Sequence, residues 1–199
     1  AVFDAADTLN NLAIIYSRMK QYNKAEDCWR QALFMYRQIS QSAGSVDIAD
    51  TMYNLATYYY CMKNYNKAED YYLQALSMYR QISQGAHRIG KAKTLTNLAN
   101  TYNAMKQYSK AEDYYLQALA IYKQILHGAD SVEMANTLNN LAGNYNDMKH
   151  YDKAEKYYLQ ALSRYRKISR GSYSVDIANT LLNRGHNYSS SGNERRARE

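Results

Sequence analysis

The residue types that most often carry out chemistry are few in this sequence and do not recur together. The histidines fall at unrelated positions, so they are not expected to converge on a metal ion: His87, His127, His150 and His186. Cys28 and Cys61 have no matching set of ligands, and we interpret both as small packing residues. Two cysteines cannot form the disulfide framework of a small secreted protein, which favours a reducing compartment and a cytoplasmic protein.

Motifs for catalysis and cofactor binding are absent from the sequence. It contains no glycine-rich phosphate loop, no dinucleotide fingerprint and no His-Glu-x-x-His zinc motif. We therefore expect no enzymatic activity, no cofactor and no bound metal. The sequence also lacks an apolar run of about 18 residues, the length that a membrane-spanning helix needs, so we expect no membrane partner.

Tyrosine and asparagine are the abundant side chains that could bind a partner. The chain of 199 residues has 23 tyrosines and no proline. Tyrosine rings can stack on nucleic acid bases and their hydroxyls can be phosphorylated, whereas an asparagine amide offers both a donor and an acceptor to a peptide backbone. Nineteen tyrosines fall into five regularly recurring series, which favours a packing role for them. Four tyrosines lie outside the series: Tyr53, Tyr58, Tyr60 and Tyr173.

The recurrence interval is 43 residues, and it organises the whole chain. Asparagine recurs at this interval five times: Asn11, Asn54, Asn97, Asn140 and Asn183. We therefore divide the single array 1–199 into four complete repeats and a partial fifth: 4–46, 47–89, 90–132, 133–175 and 176–199. Because the fifth repeat stops early in its second half, we expect the chain to be part of a longer array. Its terminal hairpin could also stack end to end on another copy.

Each repeat has the apolar spacing of two helices. Leu9, Leu12, Ala13 and Tyr16 follow the i, i+3, i+4, i+7 pattern of one helix face, and a second stripe runs through residues 25–36. We predict that the second helix opens at an N-cap residue in each repeat: Asn23, Asn66, Ser109 and Asp152. A glutamate three residues later is predicted to close a capping box: Glu26, Glu69, Glu112 and Glu155.

Further capping signals mark the linkers between repeats. A glycine series is predicted to form left-handed caps after the second helices: Gly85, Gly128 and Gly171. A serine series, followed by an acidic residue, is predicted to cap the first helices of later repeats: Ser45, Ser131 and Ser174. Each repeat is therefore predicted to be a helical hairpin that must stack on its neighbours to bury its apolar stripes.

This arrangement of small and aromatic residues resembles the tetratricopeptide repeat. The small positions are Ala13, Ala25 and Ala32, and the aromatic positions are Tyr16 and Trp29. The long period and the motif TLNNLA are similar to the kinesin-light-chain type, although the His-Pro of that type's linker is replaced here by a serine and a valine. The resemblance implies an all-α, right-handed superhelical solenoid of stacked helix–turn–helix repeats.

The resemblance also implies that the first helices line a concave groove. The flank of these helices that points away from the apolar stripe is polar, rich in amides and nearly uncharged. We predict that an extended peptide lies there, and the candidate residues are Asn11, Tyr53, Asn54, Thr57, Tyr60, Asn97, Asn100, Asn103, Asn139, Asn140, Asn146 and Asn183. Equally, the asparagine series could form hydrogen bonds between repeats and serve only to pack helices.

Three functional hypotheses are compatible with these patterns. We favour a protein–protein interaction scaffold whose partner is a protein or peptide. A regulatory repeat region of a larger signalling or enzyme protein is the first alternative. Binding of nucleic acid through the three basic series that begin at Lys20, Lys24 and Arg37 is the second, in keeping with the net charge of +7. A solvated face that keeps stacked repeats soluble explains these series better.

Overall fold

The computed structural model describes residues 2–39, 46–82, 87–126, 129–171 and 174–192. Within these ranges the chain is helical and has no β-strand, which confirms the predicted all-α class. The helices are α1 (Val2–Arg18), α2 (Tyr22–Ile39), α3 (Val46–Cys61), α4 (Tyr65–Gln81), α5 (Arg88–Ala104), α6 (Tyr108–Leu126), α7 (Val132–Asp147), α8 (Tyr151–Ile168) and α9 (Val175–Ser190).

The chain forms two compact units, Ala1–Thr101 and Tyr102–Glu199. In the N-terminal unit, α1 pairs with α2, α3 pairs with α4, and α2 also contacts α3. In the C-terminal unit, α7 contacts α6, α8 and α9, and α8 also packs on α9. Within each unit, consecutive helices therefore pack against one another in chain order.

Small residues allow the helices to approach closely. The alanine positions that the sequence singled out are fully buried, among them Ala13, Ala25 and Ala32. The threonine that recurs in every first helix donates its hydroxyl hydrogen to the backbone carbonyl four residues earlier, as Thr51 does to Asp47 at 2.7 Å. Thr51 is fully buried, and this bond satisfies its hydroxyl without a partner from another helix. The hairpins consequently pack through a buried surface of small residues, leucines and tyrosine rings.

The first helix of four repeats ends in a left-handed residue that is not glycine. The φ angles of Lys20, Lys63, Lys106 and Lys149 lie between 58° and 61°. The N–H of Lys63 bonds to the carbonyl of Tyr60, and the N–H of Asn64 to that of Tyr59, both at 2.9 Å. These two bonds define the Schellman motif, which satisfies the last carbonyls of the helix. In the fifth repeat the equivalent residue is Gly192, with φ of 72°.

The predicted start of the second helices is wrong by a few residues. These helices begin at a tyrosine, and the N-cap is the residue before it: in α4, Asn64 accepts a hydrogen bond from the N–H of Lys67 at 3.3 Å. The predicted caps therefore lie inside the helices: Asn23, Asn66, Ser109 and Asp152. The Schellman turn is so short that the residue ending it also caps the next helix.

The predicted serine caps of α7 and α9 and the predicted left-handed Gly171 are confirmed. Ser131 and Ser174 accept hydrogen bonds from the N–H groups three residues later, at 3.1 and 3.2 Å, and so cap α7 and α9. Gly171 is left-handed, with φ of 83°, and follows a second left-handed residue, Arg170. Five residues of the sequence analysis lie outside the described residues: Ser45, Gly85, His127, Gly128 and Tyr173.

Candidate functional site

A glutamate of one repeat holds tyrosine hydroxyls of the next. Glu26 on α2 accepts hydrogen bonds from Tyr58 at 3.1 Å and from Tyr59 at 2.5 Å, both on α3. Burial by itself would raise the pKa of Glu26, but hydrogen bonds from Tyr59, Arg30 and Tyr58 outweigh it and hold the pKa below its ordinary value. The predicted capping box is therefore wrong for Glu26, whose carboxylate serves the next repeat instead.

The C-terminal unit repeats this link twice. Glu112 accepts a hydrogen bond from Tyr145 at 2.6 Å, and Glu155 accepts one from Tyr188. Glu155 also forms a salt bridge with Arg184 at 2.7 Å. The hydroxyl of a buried tyrosine needs an acceptor, whereas the first N–H groups of a surface helix can bond to water. This difference explains why the glutamates turn away from their own helix ends.

The same tyrosines are covered by a second ring and a lysine. Tyr59 stacks on Tyr71 with ring centroids 5.5 Å apart, and the Nζ atom of Lys67 lies 4.8 Å from the Tyr59 ring. Tyr145 is enclosed in the same way by Tyr157 and Lys153. The lysine series that begins at Lys24 is thus accounted for by cation–π packing within a repeat.

A second set of tyrosines reaches the flank on which we predicted the peptide. Tyr36 donates to Asp7, Tyr79 donates to Asp50, and Tyr165 donates to Asn136. Burial, followed by the hydrogen bond to Asp50, raises the pKa of Tyr79 well above its ordinary value. These three acceptors were not among the candidates that the sequence predicted. Their common spacing of 29 residues from hydroxyl to acceptor was the available signal.

In the N-terminal unit, several of the predicted peptide-binding residues lie together. The amide of Asn97 donates to the hydroxyl of Tyr53 at 2.9 Å, which joins α5 to α3. Thr57 shares a hydrogen bond with Tyr72 at 3.0 Å, and the Tyr53 ring packs on the Tyr72 ring. Asn100 donates to the Oδ1 atom of Asn97 at 3.4 Å. These contacts form a polar cluster, made of Tyr53, Thr57, Asn97 and Asn100, between neighbouring first helices.

Three other candidates of this unit are not members of the polar cluster. Asn54 donates to the Oδ1 atom of Asn10 at 3.4 Å and so joins α3 to α1. Tyr60 packs its ring against Tyr65, with centroids 5.7 Å apart, at the end of α3. Asn11 is exposed on α1. The predicted residues therefore do not make one continuous set of contacts in this unit.

In the C-terminal unit, one candidate asparagine forms hydrogen bonds to other side chains, and two others have an amide oxygen without a partner. Asn103 donates to Asn144 and to Asp147, both at 3.0 Å. The Oδ1 atoms of Asn139 and Asn146 are buried and have no partner among the described residues. Asn140 and Asn183 are half-buried. Because these two unbonded oxygens are enclosed, they do not by themselves present a surface to a ligand.

A cavity of about 370 Å³ opens on the predicted flank in the N-terminal unit. It lies between α3, α4 and the start of α5, and its lining consists of Val46, Asp50, Tyr53, Tyr79, His87, Ile89, Gly90 and Lys93. Gly90 is needed here because a Cβ atom would come within 2.9 Å of the Tyr79 hydroxyl. The cavity places a carboxylate, an ammonium and two tyrosines around one opening, and we name it the α3–α5 cavity.

A larger cavity of about 680 Å³ lies in the C-terminal unit, between the start of α8 and the end of α9. Its polar lining includes Glu155 and Tyr188, which are bonded to each other, and Asn187. It lies away from the flank on which we predicted a peptide, and none of the candidate residues lines it.

The groups that could bind a metal and the two cysteines were compared with their predictions. Within the described ranges no three His, Cys, Asp or Glu side chains could hold a metal ion together. Cys28 is buried, as predicted, but Cys61 is exposed, so its interpretation as a packing residue is wrong. Cys61 ends α3 on the side where other repeats carry arginine, alanine, aspartate or serine. In the same ranges, no helix is both long enough and apolar enough to cross a membrane.

Comparison with known proteins assigns the repeats. The model of the tetratricopeptide repeat matches residues 4–81, 47–124 and 133–199. The chain belongs to the tetratricopeptide repeat family. The resemblance drawn from the small and aromatic positions is thereby confirmed. A search of curated proteins found no match.

Solved structures show the same tetratricopeptide repeat fold. BtubC (BKLC) from P. vanneervenii has a TM-score of 0.84 and 24% identity, over 99% of this chain and 77% of that one. TPR-like repeats of the kinesin light chain type from Podosopora anserina have a TM-score of 0.80 and 16% identity, over 100% and 92%. Aspartyl phosphate phosphatase F from Bacillus subtilis has 0.75 and 18%, over 99% and 58%. At these identities the likeness establishes the fold alone.

Proposed function

We propose that this chain is a protein-interaction module that binds an extended peptide on the first-helix flank of its N-terminal unit. Tetratricopeptide repeats are generally protein-interaction modules, and the repeat fold is generally non-catalytic. The peptide, its position and the residues that contact it are the part that we propose.

The α3–α5 cavity is the observation that supports this proposal. It opens beside Tyr53, which belongs to the polar cluster, and its volume of about 370 Å³ falls in the range of about 300–1,000 Å³ found for ligand pockets. Ile89, which is 43% exposed, and Val46 supply apolar surface at its wall. Apolar walls with a few convergent polar groups suit a peptide side chain, while the half-buried groups of Tyr53 and Asn97 suit the adjoining main chain.

The hydrogen bonds of the predicted residues suggest different roles for the asparagines and for Tyr53. Asn54 and Asn97 bond to the preceding repeat, which supports the packing interpretation for these two amides. Tyr53 is the one predicted residue that lines the α3–α5 cavity, so we expect it to contact the peptide. We therefore expect the asparagines to act mainly by holding Tyr53 and its neighbours in place.

The proposal can be tested by selecting ligands from a phage-displayed random dodecapeptide library with the immobilised chain. Selected peptides are synthesised with a fluorescent label, and their affinity is measured by anisotropy. Tyr53→Ala should weaken binding at least tenfold, because a buried aromatic contact at an interface often contributes about 2 kcal/mol or more. Gln74→Ala, at an exposed position of α4, is the control and should leave affinity unchanged.

Circular dichroism separates a lost contact from a lost fold. Tyr53→Ala must retain the helical signal of the parent chain for its weaker binding to count. The proposal is refuted if the library yields no peptide above the level of an unrelated helical protein. It is also refuted if Tyr53→Ala and Gln74→Ala bind the selected peptides equally well.

A further inference from the structure

The first turn of α5 lacks the acidic residue that is present in the other described first helices. An acidic residue stands in the first turn of α1, α3, α7 and α9: Asp4, Asp47, Glu133 and Asp176. In α5 the equivalent residue is Gly90, and no acidic residue is present in the first turn. Acidic residues are favoured there because the helix N-terminus carries partial positive charge. The third repeat therefore lacks the stabilisation that an acidic residue gives to a helix N-terminus.

The same helix carries basic residues where its neighbour in the N-terminal unit carries acids. Lys93 occupies the position that is Asp7 in α1 and Asp50 in α3. Arg88 and Lys91 add two further positive charges to the start of α5. Along this flank the charge therefore changes sign between α3 and α5. In the C-terminal unit the equivalent residues are the uncharged Asn136 and Asn179.

This change of sign occurs at the α3–α5 cavity itself. Asp50, exposed on α3, and Lys93, half-buried on α5, both belong to its lining, and His87 lies beside them. Gly90 keeps the space open, because any larger residue would meet the Tyr79 ring that bonds to Asp50. The absence of an acid, the reversed charge and the glycine thus coincide at one opening.

We propose that the α3–α5 cavity selects a peptide that carries a basic and an acidic residue about three positions apart. The basic residue lies over Asp50 and the acidic residue lies over Lys93. This inference rests on the proposed peptide binding and adds to it the charge pattern of the partner.

The spacing follows from helix packing and strand geometry. Neighbouring packed helices lie about 8–10 Å apart, and an extended peptide advances about 3.3 Å per residue. A peptide that crosses from α3 to α5 therefore spans the two charges with about three residues. The residues between the two charges face the apolar part of the wall, Val46 and Ile89.

Natural replacements within the chain provide matched variants. Asp50→Asn removes the charge but keeps an acceptor for Tyr79, just as Asn136 accepts from Tyr165 in α7. Lys93→Asn installs the residue that α7 and α9 carry at the same position. Lys93→Gln is a second variant that retains more of the lysine stem, should the shorter side chain disturb the packing of α5.

The test repeats the selection from the random dodecapeptide library with the parent chain, Asp50→Asn and Lys93→Asn. Peptides selected by the parent should be enriched in basic–acidic pairs about three residues apart. Those selected by Asp50→Asn should lose the basic preference only, and those selected by Lys93→Asn the acidic preference only. For one parent-selected peptide, each variant should weaken binding about two- to fivefold, which is typical of solvent-accessible ion pairs, and added salt should reduce the difference.

The outcomes separate this inference from the proposed function. If all three chains select peptides but none shows the charge pair, or if the variants leave the pattern unchanged, the charge assignment is wrong and peptide binding stands. If the parent chain selects no peptide above background, both are wrong. A selected pattern with acidic residues alone, lost in Lys93→Asn and kept in Asp50→Asn, overturns the role of Asp50.

Discussion

Replacing Lys63 with glycine should stabilise the protein, although it removes a charged side chain and adds a flexible residue. Lys63 has φ of 58°, in the left-handed region, at the end of α3. A residue with a Cβ atom occupies that region at a cost of about 1–2 kcal/mol. Glycine occupies it without that cost, and in the fifth repeat Gly192 stands at the equivalent position with φ of 72°.

The expected gain is the difference between two opposing effects. Glycine relieves the left-handed strain but loses more backbone freedom on folding, which offsets about 0.5–1 kcal/mol of the gain. The side chain of Lys63 is exposed, so its removal should change little else. We therefore expect Lys63→Gly to raise the free energy of unfolding by about 0.5–1 kcal/mol.

Two control variants isolate the backbone effect. Lys63→Ala removes the same charge but keeps the Cβ atom, so it should give no such gain. Lys67→Gly places the same substitution four residues later, inside α4, where the Nζ atom lies 4.8 Å from the Tyr59 ring. It should destabilise by about 1–2 kcal/mol, since it combines the helix cost of glycine with the loss of a cation–π contact.

Urea unfolding followed by far-ultraviolet circular dichroism measures these differences. The midpoint should rise for Lys63→Gly, stay near the parent value for Lys63→Ala and fall for Lys67→Gly, with an unchanged slope. The reasoning fails if Lys63→Gly is no more stable than Lys63→Ala. Lys149→Gly, in the C-terminal unit with φ of 60°, repeats the test at an independent site.

Two further predictions concern glycine packing and tyrosine ionisation. Gly143→Ala should stabilise the protein by about 1 kcal/mol, because alanine favours the helix and its Cβ atom would lie 3.8 Å from the Tyr158 hydroxyl, an ordinary contact distance. In Gly90→Ala the Cβ atom would lie 2.9 Å from the Tyr79 hydroxyl, so overpacking of about 1–3 kcal/mol should cancel that gain. Equal urea midpoints for the two variants would contradict this. Burial, followed by the charge of Glu26 for Tyr58 and its hydrogen bond for Tyr59, raises the pKa of each to about 12 from the ordinary value of 10. Because the unfolded tyrosines lose their protons first, the stability that these two residues contribute should be constant below pH 10 and should be lost between about pH 10 and 12. Over that range the free energy of unfolding should fall more steeply in the parent chain than in a Tyr58→Phe/Tyr59→Phe variant, and parallel pH profiles would contradict this.

Local signals in the sequence were sufficient to predict the helices and the repeats. The apolar spacing within each helix and the serine caps of α7 and α9 depend on residues within one or two helical turns, and the 43-residue recurrence repeats these local patterns along the chain. Such interactions form wherever the pattern occurs, because the backbone groups that they satisfy are adjacent in the chain. The all-α fold of stacked helical hairpins could therefore be inferred before any contact was known.

The partners of the polar side chains could not be inferred in this way. Glu26 has the spacing of a capping residue, yet it bonds to Tyr59, which lies 33 positions away. The buried hydroxyl determines this choice, and its burial exists only once two hairpins have packed. The same applies to Asn97, whose amide could have faced a ligand but donates to Tyr53 of the preceding repeat.

The candidate site depends both on local sequence and on the packing of the helices. The sequence by itself determined that Lys93 and Gly90 depart from the pattern of the other repeats. Only the tertiary structure decided that this departure meets Asp50 and Tyr53 at one cavity, because α3 and α5 are separated by the whole of α4 along the chain. Repetition specifies which side chains a repeat offers, and packing of the hairpins decides which of them meet.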